Sequence, residues 1–145
     1  MAKSEKPAKK STVTDSFGQE VKVRSRLEAK FAALLNDIQV EWLYEASKVK
    51  YIIPESQHTY TVDFTTKNGQ LWELKGYLSD YAERNKYVLL KNQNPDLDLR
   101  FVFDNPNKLC GGTKMTHAAW AIKNGFKYCG INDLETIRAW AKEKK

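Results

Sequence analysis

The chain has 145 residues, 41% of them hydrophobic, and a net charge of +6, which fits one globular domain. No apolar run approaches the roughly 18 residues that a membrane helix needs, and no apolar signal-peptide stretch follows the Lys-rich start. We therefore expect a cytoplasmic protein without membrane contact. Cys110 and Cys129 form neither a CxxC pair nor a metal cluster with His58 and His117, so two reduced thiols are predicted.

Residues 1–20 combine Lys, Ser, Thr, Pro and Gly with few large apolar residues, which predicts a disordered basic tail. The lysines at its start are Lys3, Lys6, Lys9 and Lys10. Such tails commonly bind nucleic-acid phosphates, although a solubilising tail explains the composition equally well. Residues 21–145 are then expected to form a single domain.

Regular structure is predicted from Ser25 onward, in a mixed α/β order built on one central sheet. Ser25-Arg26-Leu27-Glu28 is a plausible capping box for a first helix over 25–37. The other elements follow from apolar periodicity and turn residues. They are strands over 40–45, 48–53, 59–64, 70–75 and 97–103, and helices over 79–92, 116–124 and 132–140.

The hairpin around Lys67-Asn68-Gly69 is the most informative local signal. A three-residue loop ending in glycine sets Asp63 opposite Glu73, so that Asp63, Glu73 and Lys75 share one face of the hairpin. A two-residue Asn-Gly loop would instead put Asp63 on the face opposite Glu73. In the three-residue register the other face carries Val62, Phe64, Trp72 and Leu74.

Two carboxylates and an ammonium on one face can hold a divalent metal beside a phosphate, which indicates a nuclease. Hard oxygen ligands favour Mg²⁺, and the ligands would be Asp63, Glu73 and the backbone carbonyl of Leu74. Lys75 would lie near the attacking water or the scissile phosphate. An exposed Glu-x-Lys on a solvated strand is the plainer alternative, and the residues alone leave the two about even.

Longer motifs surround these residues. They are Ser25-Arg26-Leu27-Glu28, Tyr51-Ile52-Ile53-Pro54-Glu55-Ser56-Gln57-His58-Thr59-Tyr60-Thr61-Val62-Asp63-Phe64, Asn68-Gly69 and Glu73-Leu74-Lys75-Gly76. Together they closely resemble the phage endonuclease I family of Holliday-junction resolvases, a branch of the PD-(D/E)xK nuclease superfamily. Weaker similarity continues through 94–103 and 123–127. One departure is Val62, which stands where the family usually has a proline.

The resemblance implies a central mixed sheet flanked by helices, in a domain-swapped, intertwined homodimer whose bridge is Lys48 to Pro54. It implies that Glu28, Asp63 and Glu73 bind the metal and that Lys75 is the catalytic lysine. Mg²⁺ is the expected cofactor, Mn²⁺ is expected to substitute for it, and no small-molecule cofactor is implied. The partner would be branched DNA, cut by paired nicks at four-way junctions.

Other basic groups have two interpretations each. Lys22, Arg24 and Arg26 flank the acidic helix and could contact phosphates, or they could be an exposed helix start. His58 matches the family motif near the catalytic face, although a hydrogen-bonded structural histidine is favoured there. Two other functions stay open: a PD-(D/E)xK nuclease acting on linear duplex, and a non-catalytic basic DNA-binding protein.

Overall fold

The computed structural model describes residues 11–53 and 56–144. Within these residues it contains nine strands and four helices. The strands are β1 Ser11–Thr14, β2 Glu20–Val23, β3 Trp42–Tyr44, β4 Lys48–Ile53, β5 Ser56–Thr61, β6 Phe64–Thr66, β7 Leu71–Lys75, β8 Leu99–Phe103 and β9 Lys127–Gly130. The helices are α1 Arg26–Asp37, α2 Tyr81–Gln93, α3 His117–Lys123 and α4 Leu134–Lys142.

A five-stranded mixed sheet in the order β9-β8-β7-β6-β3 forms the centre of the fold. β9, β8 and β7 run parallel to one another, whereas β6 pairs antiparallel with both β7 and β3. Every residue of β8 is buried, as expected for a central strand covered on both faces. The predicted mixed α/β class and central mixed sheet are confirmed.

Two hydrophobic clusters cover the two faces of this sheet. Phe31 of α1 and Trp140 of α4 belong to the first cluster, together with Phe64 and Trp72. The second contains Tyr87, Leu90 and Phe101, together with residues of α3. Helices therefore flank the sheet on both sides, which accounts for the apolar periodicity in their sequences.

The β6–β7 hairpin has the predicted three-residue loop. The amide of Thr66 donates to the carbonyl of Gln70 over 2.9 Å, Phe64 pairs with Trp72, and Gly69 has a φ of 88°. Glycine alone adopts that backbone conformation without strain. This register sets Asp63 opposite Glu73, as predicted.

One side-chain direction was wrong. Phe64, Trp72 and Leu74 pack in the first cluster as expected, but Val62 packs in the second, on the opposite side of the sheet. The predicted strand over 59–64 is interrupted at Val62 and Asp63, between β5 and β6. The alternation of side chains therefore does not continue from Val62 to Phe64.

Three strands were missed, the two strands of an N-terminal hairpin and β9. Residues 11–20 were predicted as disordered, yet β1 pairs with β2 from Ser11↔Val23 to Thr14↔Glu20. Their turn is stabilised by Asp15, whose Oδ1 accepts from the amides of Phe17 and Gln19, each over 2.9 Å. The lysines of residues 1–10 lie outside the described residues. The other missed element is β9, a four-residue strand that depends on its parallel pairing with β8.

The predicted bridge segment forms the antiparallel β4–β5 pair within one chain, with Tyr51 opposite His58. The amide of Val62 donates to the carbonyl of Ser47 over 3.0 Å, which continues this pairing toward the central sheet. A domain swap exchanges the same contacts between two chains, so the exchanged dimer stays a prediction. Within the described residues, no helix combines the length and apolar character needed to span a bilayer.

Candidate active-site cleft

A cleft between α1, β5, β7 and α2 brings together all four residues predicted as catalytic. Its walls include Glu28, Asp63, Glu73 and Lys75. Further lining groups are Arg24, Tyr60, Lys86 and Tyr87. The hairpin register places Asp63, Glu73 and Lys75 on one face. Glu28 lies in the cleft because α1 packs on the central sheet.

Asp63 is 8% exposed and is fixed by a backbone donor. Its Oδ2 accepts from the amide of Leu74 over 3.1 Å. Burial raises the pKa of Asp63 to about 7, although the hydrogen bond from the amide of Leu74 acts to lower it. The nearby charge of Glu28 raises this pKa further, while Lys75 lowers it. The carboxylate is therefore oriented and poorly solvated.

Glu73 is also buried, and it accepts hydrogen bonds from two phenols. The hydroxyl of Tyr87 donates over 2.9 Å to one carboxylate oxygen, and Tyr60 donates to the other. Burial raises the pKa of Glu73 to about 7, although the charge of Lys75 opposes the shift. Burial also holds the pKa of Tyr87 well above its ordinary value, so this phenol stays a donor at neutral pH.

Lys75 is held in the cleft by an ion pair with Glu83 of α2. Glu83 also accepts from the amide of Ser79, over 3.3 Å, in the loop that leads from β7 to α2. The Lys75 side chain is 20% exposed and lines the cleft, and the carboxylate of Glu83 fixes the position of its ammonium.

Glu28 has the capping role that its sequence position suggests. Its amide donates to Oγ of Ser25 over 3.0 Å, and its Oε1 accepts from the amide of Arg24 over 2.7 Å. The hydroxyl of Tyr44 donates to the same oxygen over 2.6 Å. Glu28 therefore faces the cleft with one carboxylate oxygen already bonded.

The donor set fits a divalent cation that prefers oxygen ligands. No three His, Cys, Asp or Glu side chains of the described residues are grouped closely enough to form a metal centre by themselves. Mg²⁺, however, usually takes only one or two carboxylates and keeps several waters. Asp63 and Glu73 are two such carboxylates, and their raised pKa values reflect buried negative charge that a cation would stabilise.

The predicted DNA-binding residues are only partly near this cleft. Lys22 is exposed on β2, and Arg24 and Arg26 are exposed around the start of α1. Only Arg24 lines the cleft, with its guanidinium 2.5 Å from Glu45. The ring of His58 stacks on Tyr51 at a centroid distance of 5.5 Å. It lines a neighbouring groove and not the catalytic cleft.

Several residues in or beside the cleft were not predicted from the sequence. They are Tyr60, Tyr87, Glu83 and Lys86. The spacing of Glu83, Lys86 and Tyr87 places them on one face of α2, which a helical pattern could have shown. Nothing local in the sequence, however, brings that face against β7.

Comparison with known proteins identifies the family of this chain. The profile of the family described as phage endonuclease I matches residues 9–145. The chain is 38% identical over 123 residues to "Endonuclease I" of Escherichia phage T7, which covers 84% of this chain and 80% of the relative. It is 39% identical over 106 residues to "Endodeoxyribonuclease 1" of Enterobacteria phage T3, covering 72% and 69%. The chain belongs to the phage endonuclease I family.

Proposed function

We propose that this member of the family is a Mg²⁺-dependent, structure-selective DNA endonuclease that resolves four-way junctions as a homodimer. The observation that carries the proposal is the single cleft that joins Asp63, Glu73, Lys75 and Glu28. DNA as the substrate is supported by the T3 relative, which is named an endodeoxyribonuclease. The reaction would take place in the host cytoplasm.

Asp63 and Glu73 would hold the cation, with the carbonyl of Leu74 as a further ligand. In a strand the N–H and C=O of one residue point to the same side, so this carbonyl faces Asp63 as the Leu74 amide does. A cation bound there supplies positive charge that stabilises the negative charge building on the phosphate during hydrolysis. Mn²⁺ has similar ligand preferences and is expected to substitute.

The chain's own groups orient this chemistry. The Leu74 amide fixes the carboxylate of Asp63, and the phenols of Tyr60 and Tyr87 fix that of Glu73. Lys75, positioned by Glu83, offers an ammonium to the attacking water or the scissile phosphate. These contacts exist before DNA binds, so little reorganisation is needed at the moment of reaction.

Paired nicks require two such sites in one particle. The dimer that we propose exchanges β4 and its neighbours, so that Glu28 of one chain joins Asp63, Glu73 and Lys75 of the other. Selectivity would come from junction shape and backbone charge, because most protein–DNA hydrogen bonds contact the backbone without reading sequence.

The test is a cleavage assay on a four-way junction and on a linear duplex of the same sequences, each with Mg²⁺ and with EDTA. Cutting of the junction alone, and only with Mg²⁺, is the expected result. Equal cutting of both DNAs would indicate a nuclease for linear duplex. Tight binding without cutting in any metal would indicate a non-catalytic DNA-binding protein.

A further inference from the structure

Lys86 is a second lysine in the catalytic cleft, and the motif that predicted Lys75 does not include it. It lies on α2, one turn from Glu83 and next to Tyr87. Its Nζ is 4.7 Å from the centroid of the Tyr87 ring and 5.4 Å from that of Tyr60. These are the two phenols that donate to Glu73. The ammonium therefore lies close to the carboxylate proposed to bind metal.

The three cations that line the cleft differ in their partners. Lys75 is paired with Glu83, and Arg24 is paired with Glu45. Among the described residues, no carboxylate lies within ion-pair distance of Lys86. Contact with the face of a ring leaves the three N–H donors of an ammonium available to an anion.

We propose that Lys86 is a catalytic residue that contacts the scissile phosphate through its ammonium. The inference rests on the proposed endonuclease function and names a residue of that same site. A phosphate bound beside Lys75 and a cation held by Asp63 and Glu73 would lie within the same cleft as Lys86. The ammonium of Lys86 packs against the Tyr60 and Tyr87 rings, which hold it at the cleft. Little side-chain conformational entropy would therefore be lost when it contacts a phosphate.

Lys91 provides a matched control on the same helix. Its Nζ also lies over an aromatic ring, 5.3 Å from the centroid of Phe126, but it does not line the catalytic cleft. Replacing either lysine by methionine keeps an apolar stem over the ring and removes only the charge. A difference between the two variants therefore reports on the place of the charge in the cleft.

The experiment measures cleavage of a four-way junction in Mg²⁺ with saturating enzyme, under single-turnover conditions. Lys86→Met is expected to slow cleavage about 100-fold, the usual effect of losing one group that stabilises transition-state charge. Lys86→Arg should stay within about tenfold of wild type because it keeps the charge. Lys91→Met should stay within about twofold. Junction affinity should fall only slightly, since many phosphates share the binding energy.

A second arm separates contact with DNA from an effect through Glu73. The charge of Lys86 also lowers the pKa of Glu73. If that were its only role, the loss in Lys86→Met would shrink toward wild-type rates as pH rises to 9, because higher pH favours the ionised form of Glu73 in both proteins. A loss that persists at pH 9 supports the proposal, and recovery overturns it.

The remaining outcomes are equally decisive. Urea unfolding of each variant shows whether the fold is kept, and a loss seen equally in Lys91→Met would overturn the proposal. Wild-type rates in Lys86→Met would overturn it while leaving the endonuclease function intact. If the wild-type protein cuts no DNA in Mg²⁺ or Mn²⁺, the proposed function fails and this inference fails with it.

Discussion

Replacing Glu73 by glutamine is expected to abolish cleavage and at the same time stabilise the metal-free protein. Glu73 is 5% exposed, and its pKa is raised from 4.5 to about 7, chiefly by burial. A folded-state pKa above the unfolded value means that the folded state binds more protons between these two values. The contribution of protonated Glu73 to the free energy of unfolding is therefore fully present below pH 4.5 and is lost as pH rises through 7.

The size of the effect follows from the shift. A difference of roughly 2.5 pKa units at about 1.4 kcal/mol each gives roughly 3 to 4 kcal/mol of lost stability at pH 8. Glutamine has nearly the same shape, accepts from one phenol through its oxygen and donates to the other hydroxyl through its amide. It lacks the buried charge, so Glu73→Gln should recover about 2 to 3 kcal/mol at pH 8.

The assay is urea unfolding in EDTA, followed by tryptophan fluorescence, because Trp42 and Trp72 are buried in the core. Protomer concentration must be kept constant, since dimer formation also stabilises the folded state. The gain should disappear at pH 4.5, where wild-type Glu73 is protonated in the fold. Mg²⁺ should narrow the gap at pH 8, because it binds only the folded wild-type site.

Glu20→Gln is the matched control, because this carboxylate is exposed at the start of β2. It should change stability by less than about 0.5 kcal/mol at either pH. A Glu73→Gln protein no more stable than wild type at pH 8 would refute the burial argument. The same gain at pH 4.5 and pH 8 would show that packing, and not charge, is the cause.

Three further predictions concern DNA. Asp63→Asn or Lys75→Ala should reduce cleavage by about 10³-fold in a Mg²⁺ assay while junction binding in a gel-shift assay is kept. Full activity in the asparagine variant would remove Asp63 from the metal site. Deleting residues 2–10 should reduce the slope of log K for junction binding against log salt concentration by up to about 4, because binding without these four lysines releases fewer counterions from the DNA. An unchanged slope would identify a solubilising tail. Co-refolding Glu28→Ala with Lys75→Ala chains should restore single nicks, because the exchanged dimer has one intact site. No recovery with the mixed dimer present would show that each site is built within one chain.

Local sequence was sufficient wherever neighbouring residues specify the geometry. Lys67-Asn68-Gly69 determined the hairpin loop, because only glycine adopts the positive φ at its third position without strain. That loop fixed the register of Asp63 and Glu73. Ser25 was likewise recognisable as the cap of α1, since a serine hydroxyl satisfies a free amide three residues on.

Local sequence was insufficient where a short segment depends on a distant partner. β9 has four residues and forms because β8 offers a parallel edge. The β1–β2 hairpin has only three apolar residues, Val13, Val21 and Val23, and its turn is fixed by Asp15. Its apolar pattern is therefore too short to identify the strands from the sequence. Val62 packs on the opposite side from Phe64 because the strand is interrupted between them.

The same distinction between local sequence and tertiary structure applies to the active-site cleft. The sequence identified the acidic residues and Lys75 from a hairpin and a motif, both of which are local in the chain. Only the tertiary structure placed α2 against β7 and so supplied Tyr87 and Glu83 as partners of Glu73 and Lys75. It also buried Asp63 and Glu73, and burial is the main cause of their raised pKa values. Solvent exclusion depends on every element packed around a group, and no stretch of sequence carries that information alone.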